Sequence, residues 1–98
     1  MTTLHLLTII AEENLAEELQ ELIINLGAKG YTTTPVGGKS IYRKRDNPWD
    51  GENIKIETIV SEENTQRILN LLEEKYLDRV GLIAFHCPVN VVRSSHFL

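Results

Sequence analysis

Cysteine is nearly missing from this chain: Cys87 is the single one among 98 residues. An internal disulfide is excluded, as is a cysteine-built zinc site, and the usage fits a reducing compartment. No apolar run approaches the ~20 residues that a bilayer-crossing helix requires. No basic start leads into an apolar N-terminal segment either. These absences predict a soluble, cytoplasmic protein with no direct membrane insertion. Aromatic residues number six (Tyr31, Tyr42, Trp49, Tyr76, Phe85, Phe97), and none forms the strand-borne pair of stacking rings that an RNA-binding sheet uses. Ten Lys and Arg stand against fourteen Asp and Glu, a net charge of −4, which argues against a nucleic-acid partner. Walker loop, Rossmann glycine fingerprint and CxxC pair are all absent. Ser94-Ser95-His96 lies at the chain end, and no base stands beside Cys87 in sequence to activate it. The chain is therefore not expected to be an enzyme.

What is present is the ordinary apolar content of a globular protein, 42%, enough for one domain over residues 1–98. Its charges are unevenly placed. Glu12, Glu13, Glu17, Glu18 and Glu21 crowd one stretch, where Leu15, Leu19, Leu22, Ile23 and Leu26 recur at helical spacing. That pattern predicts an amphipathic helix with a solvated acidic face, stopped at Gly27. Lys39, Arg43, Lys44 and Arg45 crowd another stretch with no acid among them. No period supports that second cluster. With Gly37-Gly38 before it and Asn47-Pro48-Trp49-Asp50-Gly51 after it, it reads as a long loop.

Around these lie the strand signals. Leu4 to Ile10 reads as a buried strand, and Tyr31 to Thr34 as one that stops at Pro35. Ile54 to Val60 alternates, and Ser61 looks like the N-cap of a second helix carrying Ile68, Leu69, Leu71, Leu72 and Tyr76. Leu82 to Phe85 is a fourth strand, which Val89 to Val92 either continues or follows as a short fifth. The order predicts an α+β, ferredoxin-like βαββαβ sandwich with a four-stranded antiparallel sheet. Both helices would cover one face. If Leu6 and Ile10 point to them, Leu7 and Ile9 lie on the other face, and an apolar second face predicts a homo-oligomer.

His5, His86 and His96 form no close pair in sequence, and His86 and Cys87 should point to opposite faces. Gly37-Gly38-Lys39 offers a backbone that a phosphate could approach closely, at the root of the basic loop.

With those residues in place, the chain resembles the PII signal-transduction superfamily, most closely its PII-like branch. The matching segments are Gly27-Ala28-Lys29-Gly30-Tyr31-Thr32, Gly37-Gly38-Lys39, Asn53-Ile54-Lys55-Ile56-Glu57, Lys75-Tyr76 and Gly81-Leu82-Ile83. The resemblance implies a homotrimer with inward-facing sheets and an adenine nucleotide (ATP, ADP, AMP or cyclic AMP) in the clefts between subunits. It implies a T-loop-like segment over residues 38–53 that engages a target protein, such as a membrane transporter or an enzyme, in nitrogen regulation or a related context. Thr32, Gly37, Gly38, Lys39, Glu57, Arg79, Gly81 and Arg93 then match positions near the nucleotide. Tyr42, Arg43, Lys44, Arg45 and Trp49 fall in the loop that would meet the partner. Classical PII proteins carry a loop glutamine with no counterpart here, and their basic residues reduce to Arg79 and Arg93. A mono- or diphosphate, or a cyclic nucleotide, therefore stands on the same footing as a triphosphate. An alternative resemblance is to the divalent-cation-tolerance proteins, through Ser40-Ile41-Tyr42-Arg43. It implies a metal-binding trimer with His5, His86, Cys87 and loop acids as candidate ligands.

Overall fold

A computed structural model of the chain describes residues 3–38, 52–78 and 81–98. Four strands and two helices occur in the expected order: β1 (Leu4–Glu12), α1 (Ala16–Asn25), β2 (Thr32–Val36), β3 (Asn53–Ser61), α2 (Glu62–Tyr76) and β4 (Ile83–Val89). Short 3-10 turns cover Glu13–Leu15 and Ser94–Phe97. The strands form one antiparallel sheet in the order β2-β3-β1-β4, the α+β, ferredoxin-like arrangement. The long central strands β1 and β3 pair along their whole length, from Leu4↔Ser61 to Glu12↔Asn53. The shorter β2 and β4 form the two edges.

Both helices lie on one face, α1 against β3 and α2 against β1 and β3. The core between the layers holds Leu7, Ile9 and Ala11 of β1, Ile56 and Val60 of β3, Leu19, Leu22 and Ile23 of α1, and Ile68, Leu72 and Tyr76 of α2. This corrects the expected register of β1. Leu7 and Ile9 face the helices and are 0% and 1% exposed, while Leu6 and Ile10 belong to the other face and are half-buried. A strand with apolar residues on both faces carries no internal sign of which set meets the helices. Only its partners settle that.

Local signals explain how the elements end. At the close of α1 the Ala28 amide donates to the Ile23 carbonyl (2.9 Å) and the Gly27 amide to the Ile24 carbonyl (3.2 Å), a Schellman cap. Gly27 holds the left-handed position at φ 108°. Ala28 and Ile23, which the cap brings together, are both buried in the core. At the start of α2 the Ser61 hydroxyl accepts from the Asn64 amide at 3.1 Å, with Glu62 and Glu63 in the first turn. That is the expected N-cap.

The largest boundary differences from expectation lie at the end of β1, in β2 and β4, and in the C-terminal stretch. β1 runs on through Glu12, and Glu13–Leu15 form a 3-10 turn, so Glu12 and Glu13 precede the helix rather than lining it. β2 continues through Pro35 to Val36, and β4 runs through Pro88 to Val89. Both strands sit at sheet edges, where a residue without an amide proton is tolerated. Beyond Val89 the chain forms no further strand among the described residues. It closes instead on the Ser94–Phe97 turn, which comes back against β3.

Candidate functional site

The sheet face away from the helices is built by residues directly opposed across the strands. One row is Thr32, Glu57, Thr8 and Phe85, and the next is Thr34, Lys55, Ile10 and Ile83. Side chains opposed in an antiparallel ladder share a face, so this face has two halves. Toward β2 it is polar, with Thr32, Thr34, Lys55 and Glu57. Toward β4 it is apolar: Leu6, Ile10 and Ile59 are half-buried, and Ile83 and Phe85 stand 55% and 52% exposed. In the polar half the Lys55 ammonium lies 3.6 Å from the Glu57 carboxylate. Residues two apart on β3 bring the pair to one side of the strand. The partner that Lys55 provides for Glu57 was not anticipated from sequence, although the i, i+2 spacing contains it.

The candidate nucleotide residues divide between the two sheet edges. Thr32 and Glu57 are direct cross-strand partners at the β2 edge. Gly37 and Gly38, both exposed, leave the end of that strand beyond the Val36↔Asn53 pair. Gly81 precedes β4 at the same end of the sheet but at the opposite edge. Three strand intervals, about 14 Å, separate the two edges, so one copy of the chain does not bring Gly37 and Gly38 to Gly81. Arg93 lies past the other end of β4, in the left-handed conformation at φ 60°, immediately before the C-terminal turn. Lys39, Tyr42, Arg43, Lys44, Arg45, Trp49 and Arg79 lie outside the described residues.

An open groove of about 510 Å³ runs along the outer side of α1, lined by Glu17, Gln20, Glu21, Ile24, Asn25 and Tyr31. The Tyr31 hydroxyl donates to Gln20 Oε1 across it at 3.1 Å. None of the candidate nucleotide residues that are described lines it, and its two carboxylates would repel a phosphate.

Among the described residues no group of three or more His, Cys, Asp or Glu gathers as a metal centre would require. Two of the candidate metal ligands nonetheless meet. His5 Nδ1 lies 2.9 Å from His86 Nδ1, although the residues are 81 positions apart. His5 alternates with Leu7 and Ile9 and so faces the helices, and His86 opposes Leu7 on the same side. Cys87 opposes Leu6 and points the other way, as expected. Spacing along the chain could not reveal the histidine pair. Only the β1–β4 register makes it.

Comparison with known proteins gives these features a family. Residues 4–96 match the family model for nitrogen regulatory protein P-II. Among solved structures, a PII-like signalling protein from Thermus thermophilus is 44% identical. It covers 99% of this chain and 97% of its own, with a TM-score of 0.85. CPII, a nitrogen regulatory PII-like protein from Thiomonas intermedia, is 26% identical. Its structure bound to ADP, AMP and acetate covers 98% of this chain and 95% of its own, TM-score 0.81. The same protein bound to ADP and bicarbonate gives the same coverage and a TM-score of 0.83. A comparison with curated protein sequences finds no match. With a family model spanning almost its whole length and a solved relative of 44% identity, the chain belongs to the nitrogen regulatory protein P-II family.

Proposed function

We propose that this protein is a cytoplasmic PII-like regulator, one domain over residues 1–98, that works as a homotrimer and binds an adenine nucleotide in the clefts between subunits. The observation that carries the reading is the division of the candidate residues between opposite edges of one sheet. Thr32, Glu57, Gly37 and Gly38 stand at the β2 edge, and Gly81 at the β4 edge. Two copies set edge to edge would join the halves into one cleft. The apolar half of the open face, with Ile83 and Phe85, would be the surface buried on assembly. Lys39, Arg79 and Arg93 would neutralise phosphate charge, and the glycine backbone would let the phosphates approach.

The nucleotide complexes of CPII support a nucleotide with fewer than three phosphates, ADP or AMP, as effector here. No catalytic role is assigned: the chain would read the nucleotide and report it. The reporter would be the segment 38–53, with Tyr42, Arg43, Lys44, Arg45 and Trp49 meeting an acidic target protein, a transporter or an enzyme, when the nucleotide is bound.

Calorimetric titration with ATP, ADP, AMP and cyclic AMP tests the reading. Saturable heat with ADP or AMP is expected, lost or weakened at least tenfold in a Lys39→Ala, Arg93→Ala double variant. No heat with any of the four at millimolar ligand would overturn it.

A further inference from the structure

The Lys55–Glu57 pair lies in the polar half of the open face, where Glu57 is a candidate nucleotide residue and Lys55 is not. The two charged groups stand 3.6 Å apart, with side chains 33% and 30% exposed. That separation is longer than the roughly 2.7–2.9 Å of a tight charge-assisted hydrogen bond. An ammonium carries three donors, and Glu57 is the only partner of Lys55 among the described residues. Donors of Lys55 are therefore left over on an accessible face.

Strand register places those donors. Lys55 opposes Thr34 as Glu57 opposes Thr32, so one rung sets an ammonium beside a hydroxyl and the next a carboxylate beside a hydroxyl. Thr34 is exposed. Two residue rises, about 7 Å, separate these rungs. Two more lead from Lys55 to the Val36↔Asn53 pair, after which Gly37 and Gly38 leave the strand. Two donors side by side suit a phosphate oxygen, whereas a carboxylate repels a phosphate and accepts from an amine or a hydroxyl. The β2 edge thus runs from a rung suited to a nucleoside, through a rung suited to a phosphate, to the glycine backbone.

We propose that Lys55 and Thr34 bind the phosphate nearest the nucleoside, the one that AMP and ADP share, while Lys55 keeps its contact with Glu57. This assignment rests on the proposed nucleotide cleft and orients its ligand. The nucleoside lies at Thr32 and Glu57, and any further phosphate points toward Gly37 and Gly38. Lys55 offsets the Glu57 charge, so a carboxylate and a phosphate are accommodated on neighbouring rungs. Because that phosphate is what separates a nucleotide from a nucleoside, Lys55 makes the edge select AMP and ADP over adenosine.

The test titrates the full chain with AMP, ADP and adenosine, following the heat and, for AMP, the resonance of its single phosphorus. The wild-type chain should bind both nucleotides more tightly than adenosine and shift the phosphorus signal. Lys55→Met is expected to weaken AMP and ADP by about tenfold or more, as for a lost hydrogen bond to a charged group. It should leave adenosine little changed and lose most of the phosphorus shift. Lys55→Arg should restore both, and Thr34→Val should act like Lys55→Met but more weakly. The pair is partly exposed, so its loss should leave the fold intact by circular dichroism. If Lys55 touches the phosphate, a Lys55→Met, Glu57→Gln double variant stays weak for AMP. AMP affinity regained in that double variant would show that Lys55 only offsets Glu57, and would overturn the proposal. So would Lys55→Met weakening adenosine and AMP alike, or weakening neither while the wild-type chain binds AMP. A wild-type chain that takes up none of the three overturns the nucleotide reading itself, and this assignment with it.

Discussion

Gly27 occupies a backbone position that other residues reach only under strain. At φ 108° it closes the α1 cap, and a Cβ built there would come within van der Waals overlap of the Asn64 side chain. That side chain can swing aside, so the conformational cost dominates. Gly27→Ala is expected to lower stability by about 1 to 2 kcal/mol, measured by urea denaturation, with binding by the folded protein retained. Ser61 has a different role. Its hydroxyl accepts from the Asn64 amide, and its carbonyl accepts from the Thr65 hydroxyl at 2.8 Å. Ser61→Ala removes only the first of these, and a loss of about 1 kcal/mol is expected in the same assay. Both positions were legible in the sequence, because a glycine after an apolar period and a serine before two glutamates are signals carried by neighbouring residues. The His5–His86 contact was not legible, because its partners are joined only by strand register.

At the level of elements, the order and type of every strand and helix followed from periodicity and capping, and the departures share a physical cause. β2 and β4 each contain a proline that reads locally as a stop, yet each continues through it because it lies at an edge. β1 presents apolar residues on both faces, so its alternation could not say which set meets the helices. The observed register gives a direct check. Ile9→Ala empties a fully buried core position and is expected to cost about 2 to 5 kcal/mol, independent of protein concentration. Ile10→Ser alters the open face instead, and its loss of stability should grow on dilution, as expected for a residue that acts through assembly. Urea transitions at two protein concentrations separate the two behaviours. Equal, concentration-independent losses would refute the assignment of faces.

The whole molecule shows why a net charge of −4 is compatible with an anionic ligand. Glu17, Glu18 and Glu21 are exposed on α1, on the outer side of the helix layer, where they leave the sheet edges free. The candidate phosphate neighbours are distributed along those edges and along segments leading from them. On the proposed reading a single subunit would present half of a site at each edge, and the apolar half of its open face would be the surface that brings two halves together. Phe85→Lys places a charge in that apolar half. It is expected to shift the protein from trimer to monomer in light scattering after size exclusion, and to abolish nucleotide binding with the fold intact by circular dichroism.

The central claim is that assembly and nucleotide binding are one property of this chain. Native mass spectrometry in the presence of ADP tests it most directly. The account predicts a species of three times the 11.1 kDa chain mass carrying up to three ADP molecules, with Phe85→Lys appearing as a bare single chain. ADP held by the single chain, or a trimer that stays free of nucleotide at millimolar ADP, would contradict it.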